Sequence, residues 1–287
     1  MEGAVRMIDL HIHILPGLDD GARTMEESIN MCRASYRDGV RTIVATPHTL
    51  NGSYLNPREI ILDKVGELNE AVKQFRIQNS EFGIKTPEPS VEPHGIIHSA
   101  IRTPHSELSF RVLPGADVHF SPDLIQLFEK GEIESVNDKR QALMIEFPFQ
   151  GIPYRAEEVV FKLIARGILP IITHPERNFE IGRKPKRYYE LIRMGCLGQV
   201  TAMSLTGGFG PEIKRAAEEL LRHRLIHFIA SDAHSANGRP PHLSSGVKEA
   251  SKTVGGEEAW KMVTEYPQAI LAGRRPQVPE PVPLREK

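Results

Sequence analysis

Short runs of β-prone residues alternate with amphipathic helical runs along this chain of 287 residues. The alternation occurs seven times, and no boundary separates one unit from the next. Strands that alternate with helices form parallel sheets, so the pattern predicts one α/β domain over residues 1–287, folded as a TIM-like (β/α)7 barrel. The active site of such a barrel lies at the carboxyl ends of its strands. The predicted strands cover residues 5–13, 40–48, 110–118, 142–149, 169–176, 198–205 and 227–234.

Every predicted strand except the sixth presents a histidine or a carboxylate at or near its carboxyl end. His11 and His13 are two residues apart on the first strand, so they point the same way and can bind one ion together. Mixed nitrogen and oxygen ligands without a thiolate suit Mn²⁺, Fe²⁺, Zn²⁺ or similar ions such as Co²⁺ and Mg²⁺. Because the candidates exceed what one ion needs, we predict two or three ions, with the ligands His11, His13, Asp20, His48, Asp117, Glu146, His174, Asp232 and His234.

Other polar residues near these positions are given supporting or structural roles. Asp19 and Asp20 are adjacent and face different ways, so only Asp20 is expected to reach an ion. Asp19 and Asp9 are expected to support the ligands. The remaining histidines are expected to be solvated, locally hydrogen-bonded or structural, namely His94, His98, His105, His119, His223, His227 and His242.

Two arginines follow the strand ends closely. Arg177 comes directly after the sequence THPE, and Arg239 follows SDAHSANG. The planar guanidinium group matches the oxygens of phosphate, so arginines beside a metal cluster predict an anionic substrate. A surface salt bridge is the alternative for each arginine.

Neither cysteine fits a thiol-based phosphatase. Such enzymes need an arginine six residues after the cysteine, whereas Asp38 follows Cys32 and Ala202 follows Cys196 at that distance. Two cysteines are also too few for a disulfide framework, which predicts a reducing, cytoplasmic setting.

Composition and segment patterns exclude further classes of protein. The formal net charge is −1, so no basic surface points to nucleic acid. No stretch reaches the roughly 18 apolar residues that span a membrane, and the first residues, MEGAVR, do not form a signal peptide. Residues 80–107 break the alternation and predict an irregular insertion. Residues 274–287 predict a flexible tail.

Five ordered motifs identify a resemblance to a known family: DLHIHILPGLDDGARTMEES, GVRTIVATPH, LMIEFPF, PIITHPERN, and ASDAHS followed by RPP. The sequence resembles the polymerase-and-histidinol-phosphatase (PHP) superfamily. Within it, the sequence is most similar to the manganese-dependent protein-tyrosine phosphatases of bacterial capsule and exopolysaccharide synthesis. The resemblance extends from Met7 to about Ala272, apart from residues 80–107, and implies a distorted seven-stranded barrel with a three-metal site.

The resemblance also implies roles for individual residues. Arg177 and Arg239 would bind the substrate phosphate, and Asp117 would bridge two metal ions. Family members have glutamate where Asp117 stands, and the shorter aspartate implies a displaced bridge or an altered metal spacing. The implied ligand sets are His11, His13, Asp117 and Asp232 for one ion, Asp117, Glu146 and His174 for a second, and Asp20, His48 and His234 for the third.

The activity implied by the resemblance is hydrolysis of phosphotyrosine in proteins by a metal-activated hydroxide, with Mn²⁺ as the metal. The implied substrate is a phosphotyrosine protein, such as the tail of a bacterial tyrosine autokinase in polysaccharide synthesis or export. A phenolate, with a pKa of about 10, leaves more readily than an alkoxide. His48 or His234 is expected to assist its departure.

Three alternatives remain open at the level of sequence. A small-molecule PHP phosphoesterase, such as a histidinol-phosphate phosphatase, would show a closed pocket. An amidohydrolase-like C–N hydrolase also begins with two histidines on a strand, but the two arginines and Glu146 argue against it. A non-catalytic, metal-stabilised binding module would bind metal without turning over any phosphate ester.

Overall fold

The computed structural model describes residues 6–78 and 110–284 of the chain. Within these ranges the strands are β1 (Met7–Ile12), β2 (Val40–Ala45), β3 (His48–Thr49), β4 (Arg111–Pro114), β5 (Asp117–His119), β6 (Ala142–Glu146), β7 (Leu169–Thr173), β8 (Leu197–Thr201) and β9 (Phe228–Ala230). The α-helices are α1 (Met25–Arg37), α2 (Arg58–Gln78), α3 (Leu124–Glu129), α4 (Ala156–Ala165), α5 (Phe179–Arg183), α6 (Lys186–Met194), α7 (Ala202–Thr206), α8 (Pro211–Arg222), α9 (Leu243–Val254), α10 (Gly256–Lys261) and α11 (Glu265–Leu271).

The described strands pair in parallel and form two sheets, with the orders β1-β2-β4 and β3-β5-β6-β7-β8-β9. The predicted second and third strands are each broken in two, so β2 pairs with β4 in one sheet and β3 with β5 in the other. The far edges of the sheets meet where Ile12 bridges to Ala233 and the backbone N–H of His13 donates to the carbonyl of Ala233 (2.9 Å). The strand segments therefore follow one another around a distorted α/β barrel, which confirms the predicted fold class.

The two breaks occur at residues that interrupt a β-ladder. Pro47 has no N–H to donate, and its carbonyl accepts the N–H of Asp117 (3.1 Å). Gly115 lies so close to β2 that an added Cβ would sit 2.6 Å from Cγ1 of Val44. Beyond the breaks, His48 and Asp117 are register partners in β3 and β5, so the two side chains start from neighbouring backbone positions.

Four strands, β6 to β9, end three or four residues earlier than the sequence predicts. β7 ends at Thr173 because His174 adopts a left-handed backbone conformation (φ 34°), and the chain then enters a 3₁₀ turn at Pro175–Arg177. Asp232, beyond the end of β9, is also left-handed (φ 50°). Such conformations are unfavourable for residues other than glycine and cluster at functional sites. The residues predicted to continue the sixth strand beyond Thr201 instead form α7.

Most residues of the strands are buried, as expected for parallel sheets covered by helices. α1 begins after Thr24, whose hydroxyl oxygen accepts the N–H of Glu27 (3.2 Å), and it buries Met31 and Cys32 against the core. Within the described ranges, no helix has both the length and the apolar character needed to cross a membrane.

Two predicted segments have different outcomes. The predicted insertion at 80–107, with His94, His98 and His105, lies outside the described residues. Residues 274–284, from the predicted flexible tail, lie against the barrel: the N–H of Val282 donates to the carbonyl of His223 (2.9 Å), and Arg275 donates to the carbonyl of Gly195 (2.9 Å). Flexibility of the tail stays a prediction.

Candidate metal centre

The structure brings all nine predicted metal ligands together at the carboxyl ends of the strands. Each histidine among them has a ring nitrogen within 3.7 Å of a carboxylate oxygen of another ligand, and each carboxylate has an oxygen within 3.7 Å of a histidine nitrogen. Most of these side chains are buried, whereas 53% of the Asp20 side chain is exposed. The cluster therefore lies in the mouth of the barrel and reaches solvent on the Asp20 side.

Asp117 lies at the centre of the cluster. Its Oδ2 is 3.7 Å from Nε2 of His11, 3.7 Å from Nε2 of His174 and 3.3 Å from Nδ1 of His48. Its Oδ1 accepts the hydroxyl of Thr173 (3.0 Å). Oδ2 is buried and has no hydrogen-bond partner among the described residues. Burial would raise the pKa of Asp117, but the surrounding imidazoles hold it well below its usual range. A buried carboxylate oxygen facing three imidazole nitrogens fits a bridging metal ligand.

His11 and His13 are both oriented through their Nδ1 atoms. Nδ1 of His11 lies 2.9 Å from Oε1 of Gln199, and Nδ1 of His13 lies 2.6 Å from Oδ2 of Asp19. Because these oxygens accept, each Nδ1 donates and each Nε2 faces the cluster, where the two Nε2 atoms are 3.0 Å apart. This orientation, set by a hydrogen bond at the opposite ring nitrogen, is typical of metal-binding histidines.

The two imidazoles differ in how tightly they hold a proton. Burial lowers the pKa of His11 to about 3, so this ring is neutral at pH 7. Burial also acts on His13, but Asp19 and Asp232 outweigh it and raise the pKa of His13 to about 10. A metal ion bound at Nε2 of His13 must displace that proton, so we expect metal affinity to increase with pH.

The spacing of ligand atoms separates the cluster into overlapping groups. His48 belongs to two of them, because its Nδ1 faces Asp117 while its Nε2 lies 3.7 Å from Oδ1 of Asp20. His234 joins the outer group, with Nε2 3.4 Å from the same oxygen. Within the described residues the groups are His11, His13 and Asp117; His48, Asp117 and Glu146; and His13, Asp20, His48 and His234.

Arg177 and Arg239 converge on one carboxylate of the cluster. Nη2 of each lies 2.7 Å from Oδ2 of Asp232, and Arg239 also donates to the carbonyl of Asp232 (3.0 Å). Burial would raise the pKa of Asp232, but Arg177, His13, His11 and Arg239 hold it well below its usual range. The Nε of each arginine is buried and has no hydrogen-bond partner in the described part of the chain.

A cleft of about 280 Å³ opens over the cluster. Phe149 on its wall is 57% exposed, so the cleft is open to solvent rather than closed around a small molecule. Its lining residues are Asp20, His48, Asn51, Tyr54, His119, Glu146, Phe147, Pro148, Phe149, Arg177, Asp232, His234 and Arg239.

The family model for capsular polysaccharide synthesis, CpsB/CapC, matches residues 7–83 and 86–272. The chain belongs to the CpsB/CapC family. Tyrosine-protein phosphatase YwqE of Bacillus subtilis is 34% identical over 282 residues, which cover 98% of each chain. Tyrosine-protein phosphatase CpsB of Streptococcus pneumoniae is 30% identical over 270 residues, which cover 92% of this chain and 98% of CpsB.

A solved structure supports the same relationship. It comes from crystal structures of YwqE and CpsB, described as unique metal-dependent tyrosine phosphatases. It matches this CpsB/CapC protein with a TM-score of 0.82 at 33% identity, covering 98% of this chain and 100% of the other. The resemblance to the capsule branch of PHP phosphatases is therefore confirmed.

Asp9 and Asp19 have the contacts expected of supporting residues in this CpsB/CapC protein. Oδ1 of Asp9 accepts the backbone N–H of His11 (3.3 Å) and that of Ser231 (3.0 Å), and burial raises the pKa of Asp9 to about 6. Oδ2 of Asp19 accepts the N–H of His48 (2.9 Å) in addition to its contact with His13. Both carboxylates thus hold the backbone or ring of a candidate ligand.

Sequence reasoning missed several residues of the site. His119, expected to be solvated or locally hydrogen-bonded, lines the cleft with Nδ1 3.3 Å from Oε2 of Glu146. Gln199 comes from the sixth strand, to which no site residue was assigned. Its only signal was a polar residue within the apolar part of that strand. Phe209, which contacts both arginines, had no such signal.

Proposed function

We propose that this chain is a metal-dependent protein-tyrosine phosphatase. The observation that carries the proposal is the convergence of Arg177 and Arg239 on Asp232, at the edge of a nitrogen and oxygen ligand cluster in an open cleft. Guanidinium groups match phosphate oxygens, and the cluster suits divalent cations. Two relatives covering more than nine-tenths of this chain are named tyrosine-protein phosphatases, which supports phosphotyrosine as the substrate.

The ligand set fits two or three divalent cations. Oδ2 of Asp117 is buried without a hydrogen bond among the described residues and faces three imidazoles, as a bridging ligand requires. We propose Mn²⁺ as the cation. It is one of the ions that suit imidazole and carboxylate ligands without a thiolate, and it is the ion that the family resemblance implies. When bound, such cations supply Lewis acidity and lower the pKa of a bound water toward neutrality.

The chain's own residues bind and orient the phosphoryl group. Arg177 and Arg239 would donate to its oxygens and offset the charge that builds up on them during transfer. Asp232 fixes the direction of both guanidiniums through its shared Oδ2. His48 and His234 line the cleft, and assistance to the departing phenolate by either residue remains a prediction.

We further propose that the substrate is a phosphotyrosine segment of a tyrosine kinase that acts in polysaccharide synthesis or export. The family's link to capsular polysaccharide synthesis supports this choice. The cleft of about 280 Å³ supports it as well, because it is open to solvent and can admit a side chain presented by another protein. We place the reaction in the cytoplasm because both Cys32 and Cys196 are free, buried thiols.

The proposal is tested by metal removal and substrate comparison. Protein treated with a chelator, with its metal content measured by mass spectrometry and its fold by circular dichroism, should lose activity on a phosphotyrosine peptide. Addition of Mn²⁺ should restore it. Histidinol phosphate, assayed in parallel, should be a far poorer substrate. Activity that survives complete metal removal would overturn metal dependence, and faster turnover of histidinol phosphate would overturn the substrate class.

A further inference from the structure

The ring of Phe209 lies against both substrate-facing arginines. Cζ of Arg177 is 5.4 Å from the ring centroid, and Cζ of Arg239 is 5.5 Å from it. A cation within about 6 Å of an aromatic centroid is attracted to the negative face of the ring. One aromatic side chain therefore contacts the two guanidiniums that share Oδ2 of Asp232.

The loop that carries Phe209 is tightly constrained by glycines. Gly207 has a left-handed backbone (φ 87°), and the N–H of Gly208 donates to the carbonyl of Met203 (2.9 Å). A Cβ added at Gly208 would lie 2.5 Å from Cγ of Met203, so a larger residue would require the Met203 side chain or the loop to shift. The loop therefore holds Phe209 in a defined position at the end of α7.

Glu176 connects this loop to the turn that carries Arg177. Its Oε1 accepts the hydroxyl of Ser204 (2.6 Å) and the N–H of Thr201 (3.1 Å). Ser204 lies in α7, three residues before Gly207, and Glu176 directly precedes Arg177. The buried carboxylate of Glu176 thus ties the backbone turn that carries Arg177 to the helix that precedes Phe209.

We propose that Phe209 is a positioning residue, whose ring holds Arg177 and Arg239 side by side in the orientation that receives the phosphoryl group. Two guanidiniums at one carboxylate oxygen repel each other, and the negative face of the ring offsets part of that repulsion. Phe209 is supplied by the connection after the sixth strand, which contributes no predicted metal ligand. The inference rests on the proposed function, because it requires these arginines to bind the substrate phosphoryl group.

The test compares Phe209→Leu with Phe209→Tyr, because leucine removes the aromatic face and tyrosine retains it. Inorganic phosphate is titrated into Mn²⁺-loaded protein by calorimetry. Phe209→Leu should weaken phosphate affinity about tenfold, while Phe209→Tyr should stay within about twofold of the wild type. With a phosphotyrosine peptide, the rise in KM for Phe209→Leu should exceed the fall in kcat. Metal content should be unchanged in both variants.

Phe75 provides a matched control. It is half-buried, and its ring centroid lies 5.3 Å from Cζ of Arg33 on another part of the barrel, so Phe75→Leu removes a similar arginine–aromatic contact. This variant should bind phosphate as the wild type does. The inference is overturned if Phe209→Leu binds phosphate normally, if tyrosine does not rescue binding, or if wild-type protein binds no phosphate. If phosphate binds but no phosphotyrosine peptide is hydrolysed, the proposed function fails while the phosphate affinities still decide the role of Phe209.

Discussion

The two ends of the barrel place buried histidines in opposite surroundings. At the carboxyl ends of the strands, Nε2 of His11 lies 3.7 Å from Asp117 and 3.5 Å from Asp232. At the amino end of β9, Nδ1 of His227 accepts the N–H of Gly198 (3.0 Å). Burial lowers the pKa of each imidazole to about 3. Burial and neutrality therefore do not distinguish a candidate metal ligand from a structural histidine.

The charged residues around each ring distinguish His11, a candidate metal ligand, from His227, a structural histidine. Two carboxylates face His11, so a cation placed among them would be stabilised. The charge that acts on His227 is that of Arg275, which further lowers its pKa, and no ion pair of His227 occurs in the described part of the chain. The first setting suits a metal ion, and the second keeps a neutral ring as a hydrogen-bond acceptor. Substitutions at the two ends should therefore change different measurements.

The largest effect should follow from Asp117→Asn at the carboxyl end. The amide removes the negative charge that faces three imidazoles, so kcat/KM on a phosphotyrosine peptide should fall about 10³-fold, equivalent to about 4 kcal/mol. Metal content should fall with it. Asp117→Glu keeps the carboxylate on a side chain one methylene longer and should retain more activity than the amide.

Asp123 provides a control for Asp117→Asn, because it is an exposed aspartate beyond the same strand segment. Asp123→Asn should leave kcat/KM and metal content within about twofold of the wild type, as surface substitutions usually do. An Asp117→Asn protein with near-normal activity and metal content would show that the central carboxylate is not a ligand. The carboxylates that face the histidines at the carboxyl end would then not distinguish a metal site from the structural histidine at the amino end.

A smaller effect should follow from Arg177→Ala, which separates anion binding from metal binding at the same end. Inhibition by inorganic phosphate should weaken about 10- to 100-fold, since one charge-assisted contact is lost, while metal content should stay intact. Arg183→Ala is the control, because Arg183 stacks on Phe179 and not on Phe209. An unchanged response of Arg177→Ala to phosphate would remove this residue from the proposed site.

Much of this arrangement follows from sequence because parallel strands bring their carboxyl ends together. Once the β–α alternation predicts a barrel, His11, His48 and His174 must converge although they are distant in the chain. Which atoms of these ligands face one another could not be predicted from the sequence. That arrangement depends on the strand breaks at Pro47, which lacks an N–H donor, and at Gly115, where two strands approach closely.

The missed residues show where sequence patterns lose their value. Gln199 orients His11 through a single hydrogen bond, and Phe209 contacts two arginines through its ring. Neither is a residue type that by itself indicates metal or phosphate chemistry. The left-handed backbone at His174 and Asp232 also had no local signal, since neither residue is glycine and the surrounding fold must stabilise the conformation.

The smallest effect should follow from His227→Gln at the amino end, and it should appear as pH-dependent stability rather than as lost activity. The pKa of His227 is about 3 in the folded state because burial lowers it from 6.5. The unfolded chain therefore binds a proton first as pH falls, and this group destabilises the wild type below pH 6.5 by about 2 kcal/mol at pH 5. Glutamine does not titrate, so its unfolding free energy should fall less over this range. At pH 7.5 the variant should be about 1 kcal/mol less stable, because the N–H of Gly198 loses its best acceptor.

His242→Gln, at an exposed histidine, should reproduce the wild-type pH profile in chemical denaturation. If His227→Gln lost phosphatase activity or metal while its stability profile matched the wild type, the histidine at this end would belong to the functional site as well.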